Sequence, residues 1–120
     1  MKFNWCTITV KDMEASLTFY RDIVGLPVSR RLSDRPGVDI CFLGDGETKV
    51  ELICDADRAA AENPEGISLG FGVESLDAMM AFLRDKEIKI ESGPFQPNPH
   101  IKFIFVKDPN GLMVQFSETM

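Results

Sequence analysis

Six side chains of this 120-residue chain carry chemistry on strand-like stretches: Trp5 and Thr7 in "WCTITV", Glu51 in "TKVELIC", Ser68 in "ISLGFGV", and Met113 and Gln115 in "LMVQFSE". Successive side chains of a strand point to opposite faces, so parity sorts them. Val50, Leu52, Phe71, Val114 and Phe116 share one parity and are expected under helices. The six share the other, a mixed face kept roomy by Gly70 and Gly72, as a ligand pocket with few polar groups requires. Glu51 is the one ionisable group among them. It is the candidate catalytic residue, as a general base, or a contact for a cationic ligand; alternatively it is a carboxylate satisfied by Ser68, Gln115 or a threonine hydroxyl. No second acid or base shares its parity.

Other reactive side chains are fewer. His100, the only histidine, sits in "QPNPHIKF" just before a strand, where it is either a base or ligand contact over the same face, or a loop residue. Cys6, Cys41 and Cys54 are odd in number and lack CxxC spacing, which predicts free thiols acting as small hydrophobes in a reduced setting. Arg30, Arg31 and Arg35 form a small basic group between strands, which either greets a carboxylate or, as the expected reading, is solvated surface charge.

These residues are positioned by a repeat. "VKDMEASLTFYRDIVGL" and "VESLDAMMAFLRDKEIKI" align Val10 with Val73, Phe19 with Phe82, and Arg21 with Arg84, all at a spacing of 63 that also relates Phe42 to Phe105 and Asp45 to Asp108. A repeat of this length is half a domain. In the first half a strand leads to Asp12 as helix cap, then Met13, Leu17, Tyr20 and Ile23 or Val24 at helical spacing, with Gly25 as terminator. Three strands follow, "PVSRRLS", "VDICFLG" and "TKVELIC". The second half repeats the order with Ser75 as cap and strands "KIESGPF", "HIKFIFV" and "LMVQFSE", the last two joined by the turn "DPNG". Each half reads β-α-β-β-β. The division is module 1 at about 1–55, a polar connector at 56–65 with room for a turn of helix before Pro64, and module 2 at about 66–120, within one domain spanning 1–120.

Composition narrows the partners. A net charge of −6 with no basic cluster argues against nucleic acid and anionic membranes and favours cationic or neutral small molecules. No apolar run has the length of a membrane span, and the chain opens without a secretory segment, so a cytoplasmic protein is expected.

The stretches "ITVKDMEASLTFYRDIVGLPV", "FLGDGETKVELI" and "FIFVKDPNGLMVQFSE" resemble the vicinal oxygen chelate superfamily, which includes glyoxalase I, extradiol dioxygenases, methylmalonyl-CoA epimerase, and fosfomycin and bleomycin resistance proteins. The resemblance implies an α+β fold in which two βαβββ modules form a curved mixed sheet around a cup, commonly in a homodimer. The ligand positions of the family's metal enzymes fall on Trp5, Glu51, Ser68 and Gln115. A catalytic divalent ion takes about three His, Cys, Asp or Glu ligands, and only Glu51 qualifies. The expectation is therefore a protein without metal or other cofactor, similar to the bleomycin-resistance branch. It would bind a cationic or aromatic small molecule through Trp5, Thr7, Glu51, Ser68, Met113, Gln115 and His100. Trp5, an aromatic ring in place of a ligand, is either a stacking platform or apolar filling. The alternative is a glyoxalase-like lyase, isomerase or dioxygenase using Glu51 as base or in an atypical metal site; a third possibility is a module whose cup is filled by its own side chains.

Overall fold

Both helices begin where a short polar side chain replaces a missing backbone partner. In the computed structural model, which describes all 120 residues, the Ala15 amide donates to Asp12 Oδ1 (3.1 Å) at the start of α1 (Met13–Leu17). The Ala78 amide donates likewise to Ser75 Oγ (3.1 Å) at the start of α2 (Leu76–Asp85). Glu14 and Asp77 add a carboxylate to each first turn, where the helix dipole favours it.

The first helix departs from the expected spacing. After Leu17 the chain widens into a π-helical turn, Thr18–Ile23, in which the Val24 amide donates to the Phe19 carbonyl five residues back. The wider turn lets the adjacent rings of Phe19 and Tyr20 both go inside, packed edge to face at 4.9 Å. Ile23 and Val24, expected on the buried face, are only partly covered. Gly25, at a φ of +88°, ends the helix.

Strands β1 (Trp5–Thr9), β2 (Val28–Leu32), β3 (Val38–Leu43) and β4 (Lys49–Asp55) form a mixed sheet in the order β1-β4-β3-β2. Strands β5 (Ser68–Gly72), β6 (Ser92–Asn98), β7 (Ile101–Lys107) and β8 (Met113–Thr119) form a second, in the order β5-β8-β7-β6. In each, the first strand runs parallel to the last and the other pairs are antiparallel. The α+β class and the βαβββ order of both halves are thus observed.

The chain divides into two compact units, Met1–Glu62 and Asn63–Met120. In the first, Cys41, Leu43 and Leu52 are fully buried on the sheet face that meets α1, together with Leu17 and Tyr20. In the second, Ile104, Val106, Val114 and Phe116 play that part with Leu76 and Leu83 of α2. Each such aliphatic side chain contributes about 2 kcal/mol of burial free energy.

Two expectations need correction. The connector holds no helix, only a turn in which the Arg58 amide donates to the Asp55 carbonyl. Its end is instead fastened within the second unit, where the Asn63 amide donates to the Asn110 carbonyl (3.0 Å). The strand expected at "KIESGPF" begins later, at Ser92, and continues through Pro97 to Asn98. Proline is tolerated there because β6 is the edge of its sheet, and its pairing with β7 slips twice. "DPNG" folds as turn chemistry dictates: Asp108 Oδ1 accepts from the amides of Asn110 (2.8 Å) and Leu112 (2.9 Å), and Gly111 takes a φ of +84°. No helix is long and apolar enough to cross a membrane.

Candidate functional site

Register places four side chains in one row across the first sheet: Thr7 beside Glu51, Glu51 beside Phe42, Phe42 beside Arg30. The Thr7 hydroxyl donates to Glu51 Oε1 at 2.5 Å, so of the partners foreseen for this carboxylate the threonine is the one it has. Glu51 is only 9% exposed. The Phe42 ring, alongside, receives the Trp5 indole edge-on (5.4 Å between centroids, 69° between planes) and the Arg30 guanidinium over its face at 5.0 Å. Trp5 itself stays 49% exposed, so it is no filling for its own sheet.

Arg30, Arg31 and Arg35 do not form one basic group. Arg31 projects to the helix side, where it holds Asp39 with two hydrogen bonds (3.1 and 2.7 Å) and Glu14 with a third (3.0 Å). Those bonds, to Asp39 first and Glu14 second, hold its pKa well above the usual arginine range. Arg35 holds the buried carboxylate of Asp55 at 2.9 Å. Arg30, on the other face of β2, is engaged only by Phe42.

The corresponding row of the second sheet reads Gly70, Gln115, Phe105, Ser92. Gln115 reaches across Gly70, its Oε1 standing 3.4 Å from where a Cβ would be. Below this row a cavity of about 570 Å³ opens, walled by the Pro64–Ile67 loop on one side and by Ser68, Ser92, Phe95, Phe105 and Met113 on the sheet. Its size suits a small organic ligand. Phe103 packs between Phe95 (5.6 Å) and Phe105 (5.8 Å) and steadies both rings. Glu65 is the one acidic residue of the loop wall.

The predicted residues therefore fall into groups. Trp5, Thr7 and Glu51 share the first sheet's helix-free face, Ser68 and Met113 line the second sheet's cavity, and Gln115 belongs to the row beside it. His100 does not join them. It lies exposed in the β6–β7 turn, its amide donating to Asn98 Oδ1 and its carbonyl accepting from the Met120 amide. Five residues of strand separate it from Phe105, a span of about 16 Å. Sequence reasoning missed Phe42, Ser92, Phe95 and the 64–67 loop. The alternation in "VDICFLG" puts Phe42 on Glu51's face once the Gly44–Gly46 turn fixes the pairing, and that signal was available.

All three cysteines are free thiols, and burial pushes the Cys41 pKa up, which keeps it protonated and unreactive. No group of three His, Cys, Asp or Glu side chains comes together. At the four positions where the superfamily's metal enzymes carry ligands, the donor chemistry does not fit a divalent ion. Indole has no free lone pair and the Ser68 hydroxyl and Gln115 amide are neutral, which leaves Glu51 as a single charged donor where about three ligands are needed.

Paired βαβββ units, each with a helix-free face bearing a small set of polar and aromatic side chains, define the class. The chain belongs to the Glyoxalase/Bleomycin resistance protein/Dioxygenase superfamily, whose sequence profile matches residues 2–116. It is similar to human mitochondrial methylmalonyl-CoA epimerase, 27% identical over 129 residues that cover 98% of this chain and 73% of the relative. It is also similar to a probable lactoylglutathione lyase of Synechocystis, 28% identical over 121 residues that cover 93% and 91%. Among solved structures, glyoxalase I of Leishmania major superposes with a TM-score of 0.82 at 23% identity, covering 97% of this chain and 85% of that one. A glyoxalase family protein of Bacillus cereus gives 0.85 at 17%, covering 100% and 95%. At these identities the two superpositions establish the fold.

Proposed function

We propose that this chain is a metal-independent small-molecule-binding protein akin to the bleomycin-resistance branch of its superfamily, holding an organic ligand in the cavity of the second sheet. The observation that carries this is the cavity itself, apolar through Phe95, Phe105 and Met113, with Ser68, Ser92 and Glu65 as its few polar groups. An aromatic or apolar body would lie on the phenylalanines and a cationic end would face Glu65. The neutral donors Ser68 and Gln115 support ligand capture without a metal. A homodimer in the cytoplasm is part of the same proposal, and sedimentation of the purified protein tests the dimer.

The decisive test follows thermal unfolding with Zn²⁺, Ni²⁺, Mn²⁺ or Fe²⁺, after chelation, and with benzyltrimethylammonium as an aromatic cation. Anything that binds only the native state raises its stability. Metals and chelator should leave Tm unchanged, while the probe raises it in wild type and not in Phe95→Ala. A stoichiometric metal with a clear rise in Tm would overturn the proposal.

A second reading has its own support. Relatives named as an epimerase and a lyase align with nearly the whole chain, and Thr7 fixes the Glu51 carboxylate on a sheet face, as a general base must be fixed. On this reading Glu51 abstracts a proton, or anchors an atypical metal. Turnover of methylmalonyl-CoA or lactoylglutathione that disappears in Glu51→Gln would establish it, and its sensitivity to chelator would separate the two roles.

A further inference from the structure

We infer that Arg30 is an anion-binding residue, and that the Trp5–Phe42–Arg30 surface of the first sheet takes a small aromatic carboxylate. This goes beyond the cavity of the second sheet and rests on different residues.

The inference begins with a charge left unpaired. Arg31 and Arg35 each hold carboxylates, whereas Arg30 forms no ion pair although Glu51 lies in its own cross-strand row. Phe42 occupies the strand between them, so their backbones stand two strand spacings apart, about 10 Å, and no ion pair joins the side chains. The Phe42 ring also restrains the guanidinium, whose carbon sits 5.0 Å from the ring centre. A guanidinium resting on a ring keeps its N–H edge free, and that planar fork matches the two oxygens of a carboxylate.

Aromatic surface adjoins this fork. Trp5 meets the same Phe42 ring edge-on at 5.4 Å and leaves half its surface uncovered. Indole and guanidinium therefore flank one buried ring, a spacing that a single aromatic ring with an attached carboxylate can bridge. Trp and Arg side by side are the residue types that carry binding energy at recognition surfaces. Glu51 sets the polarity of the bound molecule: it repels the carboxylate, which goes to Arg30 while the ring goes to Trp5. The Thr7 hydroxyl holds Glu51 in place for this role.

Trp5 is the only tryptophan, so fluorescence excited where tyrosine does not absorb reports the surroundings of this one residue. The experiment titrates benzoate, and benzamide as its neutral counterpart, into wild type, Arg30→Gln and Arg30→Lys, with circular dichroism to show that each variant is folded. Benzoate should change Trp5 emission saturably and bind more tightly than benzamide. Arg30→Gln should weaken benzoate about tenfold and leave benzamide where it was, while Arg30→Lys, which keeps the charge and loses the fork, should fall between. Equal affinity for benzoate and benzamide in wild type, an unchanged benzoate titration in Arg30→Gln, or no saturable change with benzoate would each overturn the inference. The variants touch no residue of the second sheet's cavity, so failure here leaves the proposed function standing.

Discussion

Thr7 and Gly70 hold the same place in two copies of one motif, as do Glu51 and Gln115, and Phe42 and Phe105. On the first sheet the row is occupied: a hydroxyl ties down a carboxylate, and an arginine covers the phenylalanine. On the second sheet the same row is neutral and trimmed, with glycine in place of threonine, an amide in place of the carboxylate and Ser92 in place of arginine. There a cavity opens beside Phe105. The helix-facing sides have not diverged in this way, since both are packed with aliphatic side chains and show little exposure. A shared core has thus been kept while charge, and with it the kind of ligand each face suits, has been redistributed.

The largest test of this comparison lies in the two hairpin turns. A Cβ at Gly111 would overlap Asn63 Oδ1 and stand 2.9 Å from the Asn63 Cα, at a φ of +84°. Gly111→Ala should therefore cost about 2–4 kcal/mol in urea unfolding. Gly46, in the corresponding turn of the first module, has nothing within 4 Å and a φ open to any residue, so Gly46→Ala should change stability by about 0.5 kcal/mol or less. Equal effects would mean that the latch between Asn63 and the last hairpin is no distinguishing feature of the second module.

Next in size is the row itself. Thr7→Ala leaves the mostly buried Glu51 without its donor and should cost about 1–3 kcal/mol, with Thr7→Ser recovering most of it. Gly70→Ala puts a methyl in ordinary contact with Gln115 and should shift stability by less than about 1 kcal/mol. Matching costs in the two rows would erase the contrast between a charged and a neutral face.

A smaller effect concerns alkali. All three thiols belong to the first module, and burial raises the Cys41 pKa. The folded state thus favours the neutral thiol. Its contribution is intact below the ordinary thiol range and declines as pH climbs through the raised value. Iodoacetamide labelling followed by mass spectrometry should modify Cys6 and Cys54 well before Cys41. The smallest effect is at the other end of the pH scale. The Lys11 ammonium, hydrogen-bonded at 2.9 Å, lowers the Glu62 pKa at the end of the first module. The stability it lends is present above the ordinary carboxylate range and lost as pH falls through the lowered value. Lys11→Met should slightly flatten the acid limb of a Tm-against-pH curve, slightly because both groups are exposed.

Much of this was legible in the chain. Alternation separated Leu52 from Glu51 and Val114 from Gln115, and cap chemistry located both helix starts at Asp12 and Ser75, because these depend on neighbours in sequence. The π-helical turn was not legible, since it arises from fitting Phe19 and Tyr20 into one core, a matter of packing. Pro97 concealed the end of β6 because only sheet order reveals that the strand is an edge. The turn of helix for which the connector had room before Pro64 does not form; the segment makes a turn at Asp55–Arg58 and is tied at Asn63 to the last hairpin. At the site, Glu51 and its parity were visible, whereas Phe42, Arg30 and Phe95 entered through cross-strand register, which no single strand contains.

Alternation has one more consequence. Because Thr7, Glu51, Phe42 and Arg30 all stand on the face opposite the helix, exchanging them leaves the helix-facing core of the module in place. Foundation and instrument are written in alternate letters of the same strands. A lineage can therefore rewrite one set of letters, the one turned from the helix, and inherit a sound building with a different tool mounted in it.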